Sequence, residues 1–169
     1  MPGPALTEKP TVERRRFKFK RVHLLILLLV IVLTLVTAYL GMGFTSVEGT
    51  TLKLITASRG GTPYFVNSFN VTVIVYSTAT SLNMRVDSPV FVLSAESYYI
   101  GTASATSGTW KPYGSVSYNL QFKTTDYAAG NTLAMTTVNR LLISMSGTVS
   151  AGIYSESLTR SDVATFKFA

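Results

Sequence analysis

The residues that most often perform catalysis are scarce in this chain. It has no cysteine, and its single histidine is His23. A Ser-His-Asp triad, a Cys-His pair and a zinc or haem site with histidine ligands are therefore excluded from residues 24–169. His23 itself stands at the edge of a long apolar run. We interpret it as a polar flank of that run, with a proton-relay role as the alternative.

The carboxylates beyond the apolar run are the remaining candidates for acid–base or metal chemistry. Two of them would suffice for a glycosidase pair or a calcium site, but none stands in an Asp-x-Asp array. Arg59-Gly60-Gly61 lacks the flanking strand, helix and Lys-Ser/Thr of a phosphate-binding loop. We therefore expect no enzyme activity, no cofactor and no metal. The six carboxylates are Glu48, Asp87, Glu96, Asp126, Glu156 and Asp162.

Two sequence features suggest a modification site and a contact site. Asn70-Val71-Thr72 is an N-glycosylation sequon, and the alternation of its strand places Asn70 towards solvent. A chance sequon inside a strand is the alternative. Trp110 and Tyr113 flank a Lys-Pro turn, where an exposed aromatic pair would bind sugar or lipid. A tryptophan that fills the end of a β-sandwich is the commoner arrangement and is the interpretation we favour for Trp110.

The first forty residues predict a membrane anchor. Residues 1–21 carry a net charge of +5, and the remaining residues carry only +2. Residues 22–40 have no formal charge, and fourteen of these nineteen are Leu, Ile or Val. A helix of that length is roughly 28 Å long, which matches the hydrocarbon core of a bilayer. A cleaved signal peptide is the alternative, although its apolar region is usually shorter.

The charge distribution also predicts the orientation and argues against one class of partner. Basic residues beside a span mark the cytoplasmic side. We therefore predict a disordered cytoplasmic tail at 1–21, a single-pass transmembrane helix at 22–40 and an extracellular domain at 44–169 in the cell membrane. Because the basicity belongs to the tail, the lipid bilayer is the expected partner, and no nucleic-acid partner is expected.

Residues 44–169 alternate between apolar and polar residues, which predicts half-buried antiparallel strands. We expect a first strand from Phe44 to Ile55 and a short helix over 131–142 that is capped by Asn131. With turns between the runs, six to seven strands and this helix predict an all-β, antiparallel β-sandwich, with a strongly curled sheet as the alternative. The predicted core side chains are Phe69, Val71, Val73, Tyr118, Leu120, Phe122, Ile143, Phe166 and Phe168. The alternation places four further residues on the same apolar faces as these: Val75, Val116, Met145 and Val149, together with Ile153 at the end of its run.

The order of these elements resembles a known family. A Phe-x-Val-x-Val-x-Val-Tyr strand (69–76) is followed by Tyr-Tyr-Ile-Gly-Thr-Ala (98–103). A Pro-x-Gly-Ser turn then opens an alternating strand (112–122), and Ser-Gly-Thr-Val follows at 146–149. This pattern is similar to the group-2 late embryogenesis abundant domain, also called the water-stress and hypersensitive-response domain. The chain departs from that family at Ser77-Thr78-Ala79, where the family often has Asn-Pro-Thr.

The resemblance implies a seven-stranded sandwich without enzyme activity. It further implies a role in stress protection, client stabilisation or cell-surface interaction, with lipid handling proposed for relatives, and it favours an archaeal cell envelope. We expect a membrane-anchored, non-catalytic module with a protein partner in the envelope or membrane. The alternative is an accessory subunit of a larger archaeal envelope assembly: a stator-like archaellum protein, a surface-layer-binding protein or a small subunit of a membrane enzyme complex.

Overall fold

The first element is a long apolar helix. The computed structural model describes residues 21–79 and 81–168, so the predicted basic tail lies outside the described residues except for Arg21. Helix α1 is Arg21–Glu48, which corresponds to about 42 Å of helix. It is long and apolar enough to cross a membrane. The Thr34 hydroxyl donates to the Val30 carbonyl at 2.8 Å, so this polar group is satisfied within the helix.

Helix α1 extends beyond the predicted span, and the expected strand start at Phe44 is wrong. Residues 44–48 continue the helix, and the first strand begins at Thr50. The contacts divide the chain into two compact units, the second of which begins at Thr37. Gly43, Ser46 and Val47 are buried within this second unit. The last turns of α1 therefore pack within the sandwich unit, and such tertiary packing contributes more to helix stability than propensity does.

The second unit is an all-β antiparallel sandwich with one short helix, as predicted. One sheet has the order β1-β2-β6. The other has the order β4-β3-β7-β8, with β5 also paired to β3. Residues 21–79 and 81–168 contain eight strands: β1 Thr50–Thr62, β2 Phe65–Ser77, β3 Met84–Ala95, β4 Tyr98–Ser104, β5 Gly108–Trp110, β6 Ser115–Lys123, β7 Val138–Ala151 and β8 Tyr154–Lys167. The strand beyond the expected seven is β5, which lies where the sequence indicates only a turn. Its three residues pair with Met84–Val86 of β3.

The core lies between the two sheets, and the alternation in β2 and β6 sets its register. Val71 pairs with Leu120 and Val73 with Tyr118, and all four side chains are buried. Asn119, on the opposite face of β6, is exposed. The inside–outside assignment of β6 is therefore confirmed.

The short helix lies earlier in the chain than predicted. Helix α2 is Tyr127–Ala134, and its N-cap is Asp126 rather than Asn131. The Asp126 carboxylate accepts from the backbone N–H groups of Ala128 (2.9 Å) and Ala129 (3.2 Å). An aspartate satisfies these free N–H groups well. Residues 138–142 belong to β7, in which buried Asn139 and Leu141 alternate with exposed neighbours.

Ile153 and the two phenylalanines near the end of the chain differ in burial. Ile153 is 68% exposed, so its placement on the inward, apolar face of the alternation is wrong. Gly152 has φ +61° and opens the β7–β8 turn, which takes Ile153 out of the strand alternation. At the end of the chain, Phe168 is buried and Phe166 is half-buried against the core, so both contribute to it.

Candidate functional site

The two aromatic residues of the predicted contact site have opposite environments. Trp110 is only 5% exposed and belongs to the core, whereas Tyr113 is 91% exposed. The Trp110 side chain thus fills the end of the sandwich, and no exposed Trp-Tyr pair forms. Tyr113 adopts φ +62°, a left-handed conformation that is uncommon for a bulky residue. Tyr113 is therefore the accessible half of the predicted contact site.

Asn70 lies on the outer face of the three-stranded sheet, in its central strand. Its neighbours in register are Ser58 on β1 and Gln121 on β6. The Asn70 side chain is exposed. Beside it, the Thr72 hydroxyl donates to the Asn119 side-chain oxygen at 2.9 Å. Asn70 and Thr72 of the sequon therefore lie on the outer face of this sheet, and modification of Asn70 stays a prediction.

Three of the six carboxylates accept hydrogen bonds from backbone N–H groups. Asp126 caps α2, as described above. The Glu96 carboxylate accepts from the Arg140 N–H at 2.6 Å. The Asp162 carboxylate accepts from the Leu54 N–H at 2.8 Å. Each of these three carboxylates thus stabilises the backbone of a helix or strand rather than standing free in an open site.

The other three carboxylates interact with side chains. Asp87 pairs with Arg85 at 2.6 Å, and this hydrogen bond lowers the pKa of Asp87. The Tyr154 hydroxyl donates to Glu156 at 2.7 Å, which raises the pKa of Tyr154. Glu48 lies 3.4 Å from the Arg160 guanidinium. Among residues 21–79 and 81–168, no three His, Asp or Glu residues are grouped as a metal site would require.

The arginine of the Arg-Gly-Gly segment also has a structural role. The Arg59 guanidinium donates to the Leu133 carbonyl at 2.8 Å and to the Thr136 carbonyl at 2.7 Å. It also stands over the Phe168 ring, 5.2 Å from the ring centre. These carbonyls lie at the C-terminal end of α2, where a cation is favourable. Arg59 therefore links β1 to the C-terminal end of α2 through hydrogen bonds.

The feature that sequence reasoning missed is the junction between α1 and the β7–β8 turn. A Cβ atom at Gly43 would lie 2.7 Å from Cβ of Tyr154, and one at Gly152 would lie 2.8 Å from Cζ of Tyr39. The Phe44 ring packs edge-on against Tyr154, with 5.7 Å between the ring centres. Glycine at both positions thus permits close packing of helix and turn. The sequence signal for this packing was Gly43, whereas Gly41 has open space around it.

Hydrogen bonds tie the C-terminal end of α1 to both sheets. Arg160 of β8 donates to the carbonyls of Glu48 (2.9 Å) and Thr50 (2.8 Å). The Ser77 hydroxyl of β2 donates to the Ser46 carbonyl at 2.6 Å. A guanidinium at a helix C-terminus satisfies free carbonyls and complements the helix dipole. Residues 43–50 are therefore an integral part of the sandwich unit.

Comparisons with known proteins find solved structures of low sequence identity. No protein-family model and no curated protein sequence matches it. A protein from Archaeoglobus fulgidus shows 10% identity and a TM-score of 0.40, over 68% of this chain and 97% of that one. A protein provisionally classed as late embryogenesis abundant shows 11% identity and a TM-score of 0.48, over 79% of this chain and 83% of that one. The sporulation control protein Spo0M from Bacillus subtilis shows 12% identity and a TM-score of 0.36, over 71% of this chain and 49% of that one.

Proposed function

We propose that this chain is a single-pass membrane protein that holds a non-catalytic β-sandwich on the outer face of the cytoplasmic membrane, as an interaction or stress-protective module of an archaeal envelope. The observation that carries the proposal is the surface of α1. Its Leu, Ile and Val side chains between Val22 and Val36 are all exposed. An unshielded apolar surface of this length is costly in water and favourable in a bilayer.

The orientation follows from charge. Seven basic residues lie within residues 1–21, whereas residues 41–51 carry only Glu48. An excess of Lys and Arg beside a span is retained in the cytoplasm. The sandwich unit accordingly lies on the opposite side.

A non-catalytic role is supported by how the acidic side chains are used. Each of the six carboxylates of the sandwich unit contacts a structural partner. The chain has no cysteine, and its one histidine is on α1. Carboxylates that are held by structural partners are poorly suited to donate a proton to a substrate or to accept one from it.

An interaction role is supported by the end of the sandwich at which β1 ends and β2 begins. Tyr64, Tyr127 and Met135 are all largely exposed there. Phe65 stacks on Tyr127 with 5.2 Å between the ring centres, which fixes part of this surface. Exposed tyrosine and methionine are enriched at protein interfaces. The same surface would serve the alternative role, that of an accessory subunit in a larger envelope assembly.

The experiment that tests the proposal is membrane extraction combined with topology mapping. Because the chain has no cysteine, T7C and Y64C each introduce a single thiol. We expect alkaline carbonate to leave the protein in the membrane, and a membrane-impermeant maleimide to label Y64C but not T7C in intact cells. As a control, L28R with L33R adds about 2.5–3.5 kcal/mol per arginine at the helix centre and should release the protein. Carbonate release of the unaltered protein would contradict the anchor, and labelling of T7C alone would contradict the orientation.

Purification in mild detergent separates the two roles. A lone species supports the self-contained module. A stoichiometric partner that is lost in Y64S or Y127S supports the accessory subunit.

A further inference from the structure

The end of the sandwich at which α1 joins β1, here named the α1 end, combines several exposed features. Two connections lie there: residues 111–114 between β5 and β6, and 152–153 between β7 and β8. Lys111 and Gly152 line the same surface depression, which places these two connections side by side. The α1 end is thus formed by neighbouring loops of both sheets.

Ile153 is an unusual residue for the tip of a β-turn. It is a large aliphatic side chain, mostly exposed, in a position where a polar residue would be expected. The turn leaves it outside the core, and its neighbour Gly152 packs against the ring of Tyr39. Ile153 therefore lies exposed beside helix α1.

Tyr39 indicates the depth of this turn relative to a bilayer. It is the penultimate residue of the predicted span 22–40, and aromatic rings at such positions lie at the headgroup level. Because Tyr39 belongs to the sandwich unit and contacts Gly152, the β7–β8 turn lies at the same depth as the Tyr39 ring. This step uses the membrane anchoring proposed above.

Tyr113 is a second large, exposed hydrophobic side chain at the α1 end. Its left-handed backbone is conformationally costly for a tyrosine, and its ring remains in solvent. Exposed Lys111 lies in the same connection, and Lys53 is close to Tyr113. Among the described residues, neither lysine has a carboxylate within 4.0 Å. A tyrosine beside lysines is the combination found where proteins meet lipid headgroups.

We propose that the α1 end of the sandwich is a membrane-contact surface, in which Ile153 and Tyr113 enter the headgroup layer of the outer leaflet and Lys53 and Lys111 contact lipid phosphates. The occupant is lipid rather than a protein, because the neighbouring Tyr39 is itself an interfacial residue of the anchor. The contact would hold the sandwich against the bilayer, and it would leave the opposite end, with Tyr64 and Tyr127, free for partners.

The test uses single-thiol variants of the full chain in lipid vesicles. I153C and Y113C carry an environment-sensitive fluorophore at the α1 end, and Y64C carries it at the opposite end, where the side chain is 77% exposed. Each purified protein is reconstituted into phosphatidylcholine vesicles, with and without phosphatidylglycerol. We expect blue-shifted emission at I153C and Y113C, and several-fold stronger quenching there than at Y64C by lipids with a spin label near the headgroup. With the anionic lipid, K53Q together with K111Q should weaken the quenching.

Each outcome of this test is decisive. Carbonate extraction of the same vesicles reports separately on the anchor. If the anchor is inserted but all three probes remain in water, the membrane-contact surface is wrong and the anchor stands. A probe at I153C that is shielded but not quenched by the labelled lipid would show that a protein covers the α1 end, which would also overturn the proposal. If carbonate releases the protein, both proposals fail together.

Discussion

The Asp162 carboxylate accepts a hydrogen bond from the backbone N–H of Leu54 at 2.8 Å, and this bond joins β8 of one sheet to β1 of the other. β1 is an edge strand, and its pairing with β2 shifts register just after Leu54. Arg160, two residues before Asp162, donates to the Thr50 carbonyl of the same strand. Inward-pointing charges on β8 thus satisfy backbone groups of β1 that would otherwise be available for edge-to-edge association.

Removing this carboxylate is expected to destabilise the sandwich. D162A leaves the Leu54 N–H without its partner, which should lower the free energy of unfolding by about 1–3 kcal/mol. D162N is the matched control, because its amide oxygen keeps an acceptor at the same place and should recover part of the loss. Urea unfolding of the purified chain in mild detergent, followed by circular dichroism, measures both. Equal stability of D162A and the unaltered chain would contradict a structural role for this bond.

A second prediction tests the register of β6. L120A removes a buried side chain that is paired with Val71 and should cost about 2–5 kcal/mol. N119A, on the outer face, loses a hydrogen bond from Thr72 in an exposed site and should cost about 0.5–1 kcal/mol. The same urea measurements compare the two. If N119A were as damaging as L120A, the two faces of β6 would be interchanged.

A third prediction concerns alkaline pH. Burial raises the pKa of Tyr118 from about 10 to about 12. Its hydroxyl has no hydrogen-bond partner among the described residues and points towards Gly108. Below about pH 10, Tyr118 is neutral in both the folded and the unfolded chain, and its contribution to the free energy of unfolding is constant. Between about pH 10 and 12, Tyr118 ionises in the unfolded chain but stays neutral in the folded one. The free energy of unfolding therefore falls in this range, by at most about 1.4 kcal/mol per pH unit.

Y118F should remove this part of the alkaline sensitivity. It also deletes a buried hydroxyl without a partner, so stability at neutral pH should be equal or higher. Unfolding free energies of both proteins at intervals from pH 8 to 12 give the comparison. If the free energies of unfolding of Y118F and the unaltered protein fell in parallel as the pH rises, a group other than Tyr118 would cause the alkaline sensitivity.

The fold was largely predictable from the sequence, and the reasons differ between its parts. Alternation identified β2, β6 and β7 because a half-buried strand has a period of two. The helix was misplaced because the three- and four-residue apolar spacing over 131–142 put its start at Asn131. The cap at Asp126 depends on two backbone N–H groups that are seen only in the structure. Ile153 was misassigned because alternation cannot register a turn that begins at Gly152.

The candidate sites were less predictable, because exposure depends on tertiary packing. Trp110 and Tyr113 are close in sequence, and only the pairing of β5 with β3 decides that Trp110 points inward. The junction between Tyr39 and Gly152 joins residues more than a hundred positions apart. No local pattern encodes such a contact.

A fourth prediction concerns where the sandwich unit begins. A fragment of residues 37–169 retains the buried Val47 side chain and the bonds from Arg160 and Ser77 to the end of α1. It should melt cooperatively. A fragment of residues 50–169 loses this burial and leaves both donors without their α1 acceptors, so its free energy of unfolding should fall by at least about 2 kcal/mol. Thermal melts by circular dichroism test this, and identical melting curves would show that the end of α1 is dispensable.

The last prediction compares two glycines that lie two residues apart on α1. A Cβ atom at Gly43 would lie 2.7 Å from Cβ of Tyr154 and 3.0 Å from the Ala151 carbonyl oxygen, whereas one at Gly41 would meet nothing within 4 Å. G41A should therefore stabilise the helix by up to about 1 kcal/mol, as alanine usually does in place of glycine. G43A gains the same propensity but must push α1 away from the β7–β8 turn, at a cost of about 1–3 kcal/mol. Urea unfolding of both variants in the full chain measures the difference. Equal effects of the two substitutions would show that α1 and the β7–β8 turn are not closely packed, and the depth argued for Ile153 would lose its basis.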